Sequence, residues 1–307
     1  MNNRLEVKIG DLTFKNPILL ASGTIGFGEE ISKFYDLSIL GGIVTKSITL
    51  KPRKGNPPPR IWEAYSGILN SIGLENPGIE AFLCEEIEKL QRIDTNIIVS
   101  IAGESESEYL DLIKSLNDTK VSAIELNVSC PNVDKGGMHF GVDKDSLISL
   151  VKKVLKISKK PVWVKLSPEA KDIVDIVLGL KNVGVNVVVL FNTFLGMAID
   201  WKNRKPAFKR IFAGYSGPAV KPLVLRYVWE VYEKTGITII GCGGIINYTD
   251  VLEYILAGAS LVEVGTANFI NPMIGKELVE DLYRNIEDES IQDLIGFAHK
   301  RKEDNIL

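Results

Sequence analysis

Histidine is almost missing from this chain: 2 of 307 residues, His139 and His299. A Ser-His-Asp hydrolase, a His-rich zinc site or a histidine general base would each have to draw on that pair. His299 lies in the charged stretch AHKRKEDN, where a solvated surface role is expected, and His139 sits in a Gly-rich loop. Proton chemistry is therefore expected from another residue type, and no metal is expected. Cysteine is scarce too. The 3 present, Cys84, Cys130 and Cys242, have neither metal-ligand spacing nor the pattern of a disulfide scaffold, which suits a reducing compartment. There is no CxxC or other iron–sulfur ligand set, and no strand-linked GxGxxG that would mark a nicotinamide site. No apolar run approaches the roughly 20 residues of a membrane helix, and the opening MNNRLEVKIGDLTF lacks a signal-peptide pattern. The cytoplasm is the expected location. With 36 basic and 39 acidic residues the net charge is −3, so neither nucleic acid nor a membrane surface is an expected partner.

What the chain does have is apolar sequence, 45% of it, arranged in a rhythm. Short runs rich in Val and Ile occur at 17–22, 41–47, 96–103, 121–129, 161–167, 185–193, 237–245 and 260–267. Their near-continuous apolarity is that of strands buried on both faces. Amphipathic helical patterns separate most of them; in one, Ile79, Leu83, Ile87 and Leu90 form a stripe with acidic residues elsewhere. Eight strands alternating with helices predict an α/β fold, a (β/α)8 TIM barrel, as one domain over 1–307; a doubly wound open sheet is the alternative. The segment LEVKIGDLTFKN, alternating around Gly10-Asp11, predicts an N-terminal β-hairpin capping the barrel floor. Three long stretches, 48–78, 130–145 and 194–222, follow strand C-termini and are expected to form long loops, walls and lids, at the C-terminal face.

Each strand run ends in polar or glycine residues: Ser22, Lys46, Ser100, Asn127, Lys165, Asn192-Thr193, Gly243-Gly244 and Gly265-Thr266. A single polar residue where a strand meets water is ordinary; eight in a ring favour a ligand site. Gly243, Gly244, Gly265 and Thr266 are the expected phosphate cradle, since backbone approaches a phosphate closely only where no Cβ intervenes. Asn70, Asn127 and Asn192 could read the edges of a small planar ring. On these residues alone an FMN oxidoreductase, a lysine-dependent aldolase or phosphosugar isomerase, and a non-catalytic binder of a phosphorylated ligand all remain open. Cys84 and Cys242 are expected to be small buried apolar residues. Cys130 differs: it lies just past the fourth strand run, among rim asparagines and near the two lysines, where positive neighbours lower a thiol pKa.

The motifs ASGTIGFGEE (21–30), TKSITLKPRKGNPPPR (45–60), LNSIGLENPG (69–78), ELNVSCPN (125–132), VKLSP (164–168), SGPAVKP (216–222) and GTANF (265–269) together resemble the FMN-dependent dihydroorotate dehydrogenases, over essentially the whole chain. The cysteine at 130 is similar to the soluble class, and GFGEE, GNPPPR, KGGMHFG and SGPAVKP to its NAD-linked, two-subunit type. The resemblance implies oxidation of (S)-dihydroorotate to orotate in pyrimidine biosynthesis, with Cys130 removing the C5 proton and FMN taking the C6 hydride. It implies FMN contacts from Ser22, Lys46, Ser47, Ser100, Asn127, Lys165, Phe191, Gly217, Gly243, Gly244, Gly265 and Thr266. Substrate contacts would come from Lys46, Asn70, Ser71, Ile72, Gly73, Leu74, Asn127, Asn132, Asn192 and Thr193. It further implies an electron-transfer subunit carrying FAD and a [2Fe–2S] cluster, and a homodimer of this chain within a heterotetramer. The fumarate-linked homodimeric type and the flavin domain of dihydropyrimidine dehydrogenases are the nearest alternatives. Two positions depart from the two-subunit pattern: Ser100 stands where asparagine is frequent, and Tyr215 stands where a smaller residue is frequent.

Overall fold

The structure, a computed structural model, describes residues 4–129, 143–286 and 289–300. Cys130, Asn132 and His139 lie outside the described residues. A hairpin of β1 (Val7–Ile9) and β2 (Leu12–Phe14) opens the fold, turning at Gly10, whose φ of +56° suits glycine. Eight parallel strands then close into a barrel: β3 (Ile18–Leu20), β4 (Gly42–Val44), β7 (Asn96–Ile101), β8 (Ala123–Asn127), β9 (Val162–Lys165), β10 (Val187–Leu190), β15 (Thr238–Cys242) and β16 (Ala259–Val264). Every apolar run read as a buried strand carries one of them.

These strands are buried on both faces because helices cover the outside while side chains fill the inside. The helix Lys144–Ile157 is typical. Asp143 caps it by accepting from Ser146 N at 2.9 Å, and Leu147, Leu150, Val151 and Val154 are buried beneath it. The expected stripe over 79–90 is present: Ile79, Ile87 and Leu90 are buried and Leu83 packs against the core. A π-helical turn at Phe82–Glu86 buries Phe82, leaves Leu83 half-buried and turns Cys84 outward, so Cys84 is exposed rather than a small core residue. His299 also departs from expectation. Its ring is half-buried, stacked on Trp229 with centroids 3.6 Å apart, and its Nε2 lies 3.0 Å from Ala257 O.

Two of the long stretches are not irregular walls. The segments β5 (Ile61–Ala64), β6 (Gly67–Asn70), β11 (Phe194–Met197) and β14 (Phe212–Ser216) form one antiparallel sheet in the order β11-β14-β6-β5. A two-stranded ribbon, β12 (Ile199–Asp200) with β13 (Lys205–Pro206), extends from it. Leu69, Ala207, Phe208 and Ala213 make its small apolar core.

Candidate active site

Because parallel strands all point the same way, their C-terminal residues gather on one rim. The rim sheet lies across it, and between them is a cavity of about 700 Å³, a usual size for a small-molecule site. The barrel supplies Ser22, Lys46, Ser47, Asn127, Lys165, Phe191, Asn192 and Thr193 to its lining. The β15 and β16 ends supply Gly243, Gly244, Gly265 and Thr266, and the rim insertions supply Asn70, Ser71, Ile72, Gly73, Leu74 and Gly217. Ser100 is the exception among the described candidates. It is fully buried one step below the rim, its hydroxyl 2.9 Å from Ser47 Oγ, and is not part of the cavity lining. Cys130 and Asn132 lie outside the described residues; Ser129, the last described residue before them, lines the cavity.

A hydrogen-bond chain orients the rim amides. Asn127 Nδ2 donates to Ser47 Oγ at 3.0 Å, and Asn192 Nδ2 donates to Asn127 Oδ1 at 3.1 Å. Thr193 N donates in turn to Asn192 Oδ1 at 2.8 Å. Each amide thereby presents a defined edge to a ligand. Thr193 reaches its place because position 214 is glycine: a Cβ there would lie 2.1 Å from Thr193 Oγ1. Tyr215, the larger residue noted above, lines the cavity, and its hydroxyl ties the rim sheet by donating to Tyr65 O at 2.7 Å.

The glycine end of the cavity differs in kind. Gly244 has φ +75°, and a Cβ on it would meet Lys221 N at 2.8 Å, so packing alone demands glycine. At Gly265 a Cβ would find nothing closer than 3.6 Å. Glycine is not required there by the protein's own packing, and its missing side chain leaves space open to the cavity. Thr266 Oγ1 is 2.9 Å from Ser216 Oγ, joining this turn to the rim sheet.

The two lysines sit in different electrostatic settings. Burial lowers the Lys46 pKa; Glu75 opposes that shift and Arg60, itself paired to Glu75 at 2.5 Å, reinforces it. Lys165 is buried at the cavity floor, with Nζ 2.5 Å from Glu263 Oε2 and 3.6 Å from Glu125 Oε2. Burial works against its charge, but the acidic groups around it, Cys242, Glu125 and Glu263, outweigh burial and hold the ammonium above the ordinary lysine range. Cys242 is half-buried and lines the cavity; burial pushes its thiol up to about 12. Sequence reasoning passed over Glu125 and Glu263, although an acid inside each of the runs VSAIELNVS and SLVEVGTA was visible. It also passed over Arg53, Glu169 and Arg210 on the cavity wall. Among the described residues no group of three or more His, Cys, Asp or Glu is placed to hold a metal ion.

Fold and rim thus define a (β/α)8 barrel whose cavity has a glycine-lined end, a ring of ordered amides and a buried lysine at its floor. The dihydroorotate dehydrogenase family profile matches residues 4–286, and the chain belongs to that family. A protein named dihydroorotate dehydrogenase B (NAD(+)), catalytic subunit, from Caldicellulosiruptor bescii is 46% identical over 295 residues, 95% of this chain and 98% of that protein. One of the same name from Desulforamulus reducens is 47% identical over 303 residues, covering 97% of this chain and 100% of that protein. A third, from Thermodesulfovibrio yellowstonii, is 46% identical over 291 residues, 94% and 96% of the two chains.

Proposed function

We propose that this chain, acting as one domain over 1–307, oxidises (S)-dihydroorotate to orotate in pyrimidine biosynthesis, with FMN held in the rim cavity. The observation that carries the reading is the meeting, in one cavity, of Lys165, the Asn127–Asn192 amide chain and the glycine turns at 243–244 and 265. The residues fit FMN. The open space at Gly265 suits a phosphate, and the cavity is large enough for a planar ring to lie between that end and the rim amides. When bound, FMN supplies a two-electron acceptor for the hydride from C6 of the substrate.

The chain's own residues would do the rest. Cys130 removes the C5 proton, a role proposed from the ELNVSCPN motif. Lys165 fixes a positive charge at the floor, where negative charge develops, and needs no reorganisation at the moment of reaction. Lys46 offers a second cation toward the substrate carboxylate. Asn70, Asn127, Asn192 and Thr193, with Asn132 added and the Ser71–Leu74 turn, hold and orient the pyrimidine ring. Ser22, Ser47, Phe191, Gly217 and the glycine turns would hold FMN, with Ser100 supporting Ser47 from below.

Electrons would then leave through a second polypeptide carrying FAD and [2Fe–2S], in a heterotetramer built on a homodimer of this chain. The words "NAD(+)" and "catalytic subunit" in the relatives' names support this NAD-linked arrangement over the fumarate-linked one. The cytoplasm is the proposed location; among the described residues no helix is long and apolar enough to cross a membrane. The test is to supply the purified chain with dihydroorotate and either an artificial acceptor or NAD. Orotate should form quickly with the first and poorly with the second. Efficient NAD reduction by the chain alone would overturn the two-subunit reading, and no orotate with any acceptor would overturn the activity.

A further inference from the structure

Barrel interiors are normally filled by apolar side chains, yet two carboxylates lie inside this one. Glu125 on β8 and Glu263 on β16 are both fully buried and face the same Lys165 ammonium. Strand register places Ser100 opposite Glu125 on β7 and Cys242 opposite Glu263 on β15. On their other sides stand Trp163 of β9 and Leu19 of β3, which carry no charge. Among the described residues, Lys165, Cys242 and the two glutamates are the titratable groups that act on one another here.

Counting charge shows the difficulty. Two carboxylates and one ammonium leave a net negative charge in a dry interior, a costly arrangement unless it is neutralised. Hydrogen bonding tells the same story. Neither oxygen of Glu125, nor Oε1 of Glu263, has a partner of good geometry among the described residues. An ionised carboxylate only accepts, so neighbouring carboxylates satisfy one another only when one of them carries a proton.

We propose that Glu125 and Glu263 hold one proton between them, on Glu125, and act as a positioning pair that fixes the Lys165 ammonium beneath the cavity while keeping its floor electrically neutral. Losing that proton places one negative charge under the bound ring and weakens the floor's preference for an anionic ligand. Burial first, and the charge of Glu263 second, push Glu125 up to about 8, with Lys165 opposing. The Cys242 thiol, up at about 12, adds no charge at neutral pH. Glu125 thus gives up its proton close to neutrality and not in the ordinary carboxylate range. The inference rests on the flavin reading only for what lies above Lys165; the shared proton follows from the chain alone.

The experiment uses infrared spectroscopy of the purified protein, with ¹³C-glutamate labelling to assign the carbonyl stretch of an un-ionised glutamic acid. It is followed by the midpoint potential of bound flavin on either side of pH 8. The wild-type protein should show the un-ionised band at neutral pH and lose it as pH rises through about 8. The band should be absent in Glu125→Gln. It should also vanish in Glu263→Gln, where Glu125 becomes the sole counter-ion of Lys165 and ionises. The potential should bend with pH near the same point in the wild type, and the bend should be lost in Glu125→Gln, whose neutral amide stands in for the protonated acid. No such band in the neutral wild type, or a bend that survives in Glu125→Gln, overturns the proposal. The wild-type infrared titration needs no variant and is read equally well on flavin-free protein. A protein that cannot bind FMN would therefore sink the functional reading while this test still decides the pair.

Discussion

The two mouths of the barrel are closed in opposite ways. At the floor, the β1–β2 hairpin packs Val7 and Phe14 into the core, with the Phe14 ring 6.1 Å from that of Trp163, a side chain of β9. At the rim, two residues further along that same β9, Lys165 stands among carboxylates and amides beneath an open cavity. One strand of four residues thus contributes an apolar contact at one end and a buried cation at the other. Floor residues should govern whether the barrel holds together, and rim residues what it does once folded. Substitutions can separate the two.

The largest effect is expected at the rim. Cys130→Ser should slow reduction of bound flavin by dihydroorotate by roughly 10²–10⁴-fold, the usual worth of a positioned base, with flavin content unchanged. Stopped-flow reduction at neutral pH measures it; a near-normal rate would remove Cys130 from its proposed role. At the floor, Phe14→Ala should cost about 3–5 kcal/mol of stability, as large-to-small core changes do. Denaturant unfolding should show that loss while kcat/KM per flavin-loaded molecule stays at the wild-type value. A parallel fall in kcat/KM would break the division between floor and rim.

The buried carboxyl pair sits between these extremes, so its effect should register in stability through pH. An unfolded glutamate gives up its proton near 4.5, whereas Glu125 in the folded chain keeps it up to about 8. Between these values the native state binds more protons, so this group's contribution is complete below 4.5 and is lost as pH rises through 8. Glu125→Gln should flatten that part of the stability–pH curve, and unfolding midpoints at several pH values would show it. The smallest effect is expected at Ser100. Ser100→Ala removes one neutral hydrogen bond to Ser47, worth about 0.5–1.5 kcal/mol. KM should rise by no more than about tenfold while kcat holds; a fall in kcat instead would make Ser100 a direct participant.

The rim was the most legible region in the sequence, because a polar residue closing an apolar run is a local signal. Lys46, Asn127, Lys165 and the Gly243-Gly244 and Gly265-Thr266 turns could be read one strand at a time. The hairpin was legible for the same reason, through alternation around Gly10. The rim sheet was not: Asn70 meets Gly214 across 144 residues, and that pairing is set by tertiary structure, which local pattern does not report. Ser100 lies one layer below the cavity lining because β7 runs on to Ile101, beyond the point where its polarity suggested an end. Cys84 and His299 failed for related reasons. A π turn rotated one off its expected face, and a tryptophan from a distant helix half-covered the other. Glu125 and Glu263 were in plain view, but an acid inside an apolar strand gains its meaning only from the lysine that meets it.

The most direct test of the central claim is anaerobic mixing of the purified chain with dihydroorotate while the visible flavin absorbance is followed. Rapid bleaching with release of orotate is the predicted result, since it places cofactor and substrate in the same working cavity. A yellow protein that keeps its colour in the presence of dihydroorotate would contradict the assignment of that substrate, and a colourless protein that cannot be loaded with FMN would contradict the flavin site itself.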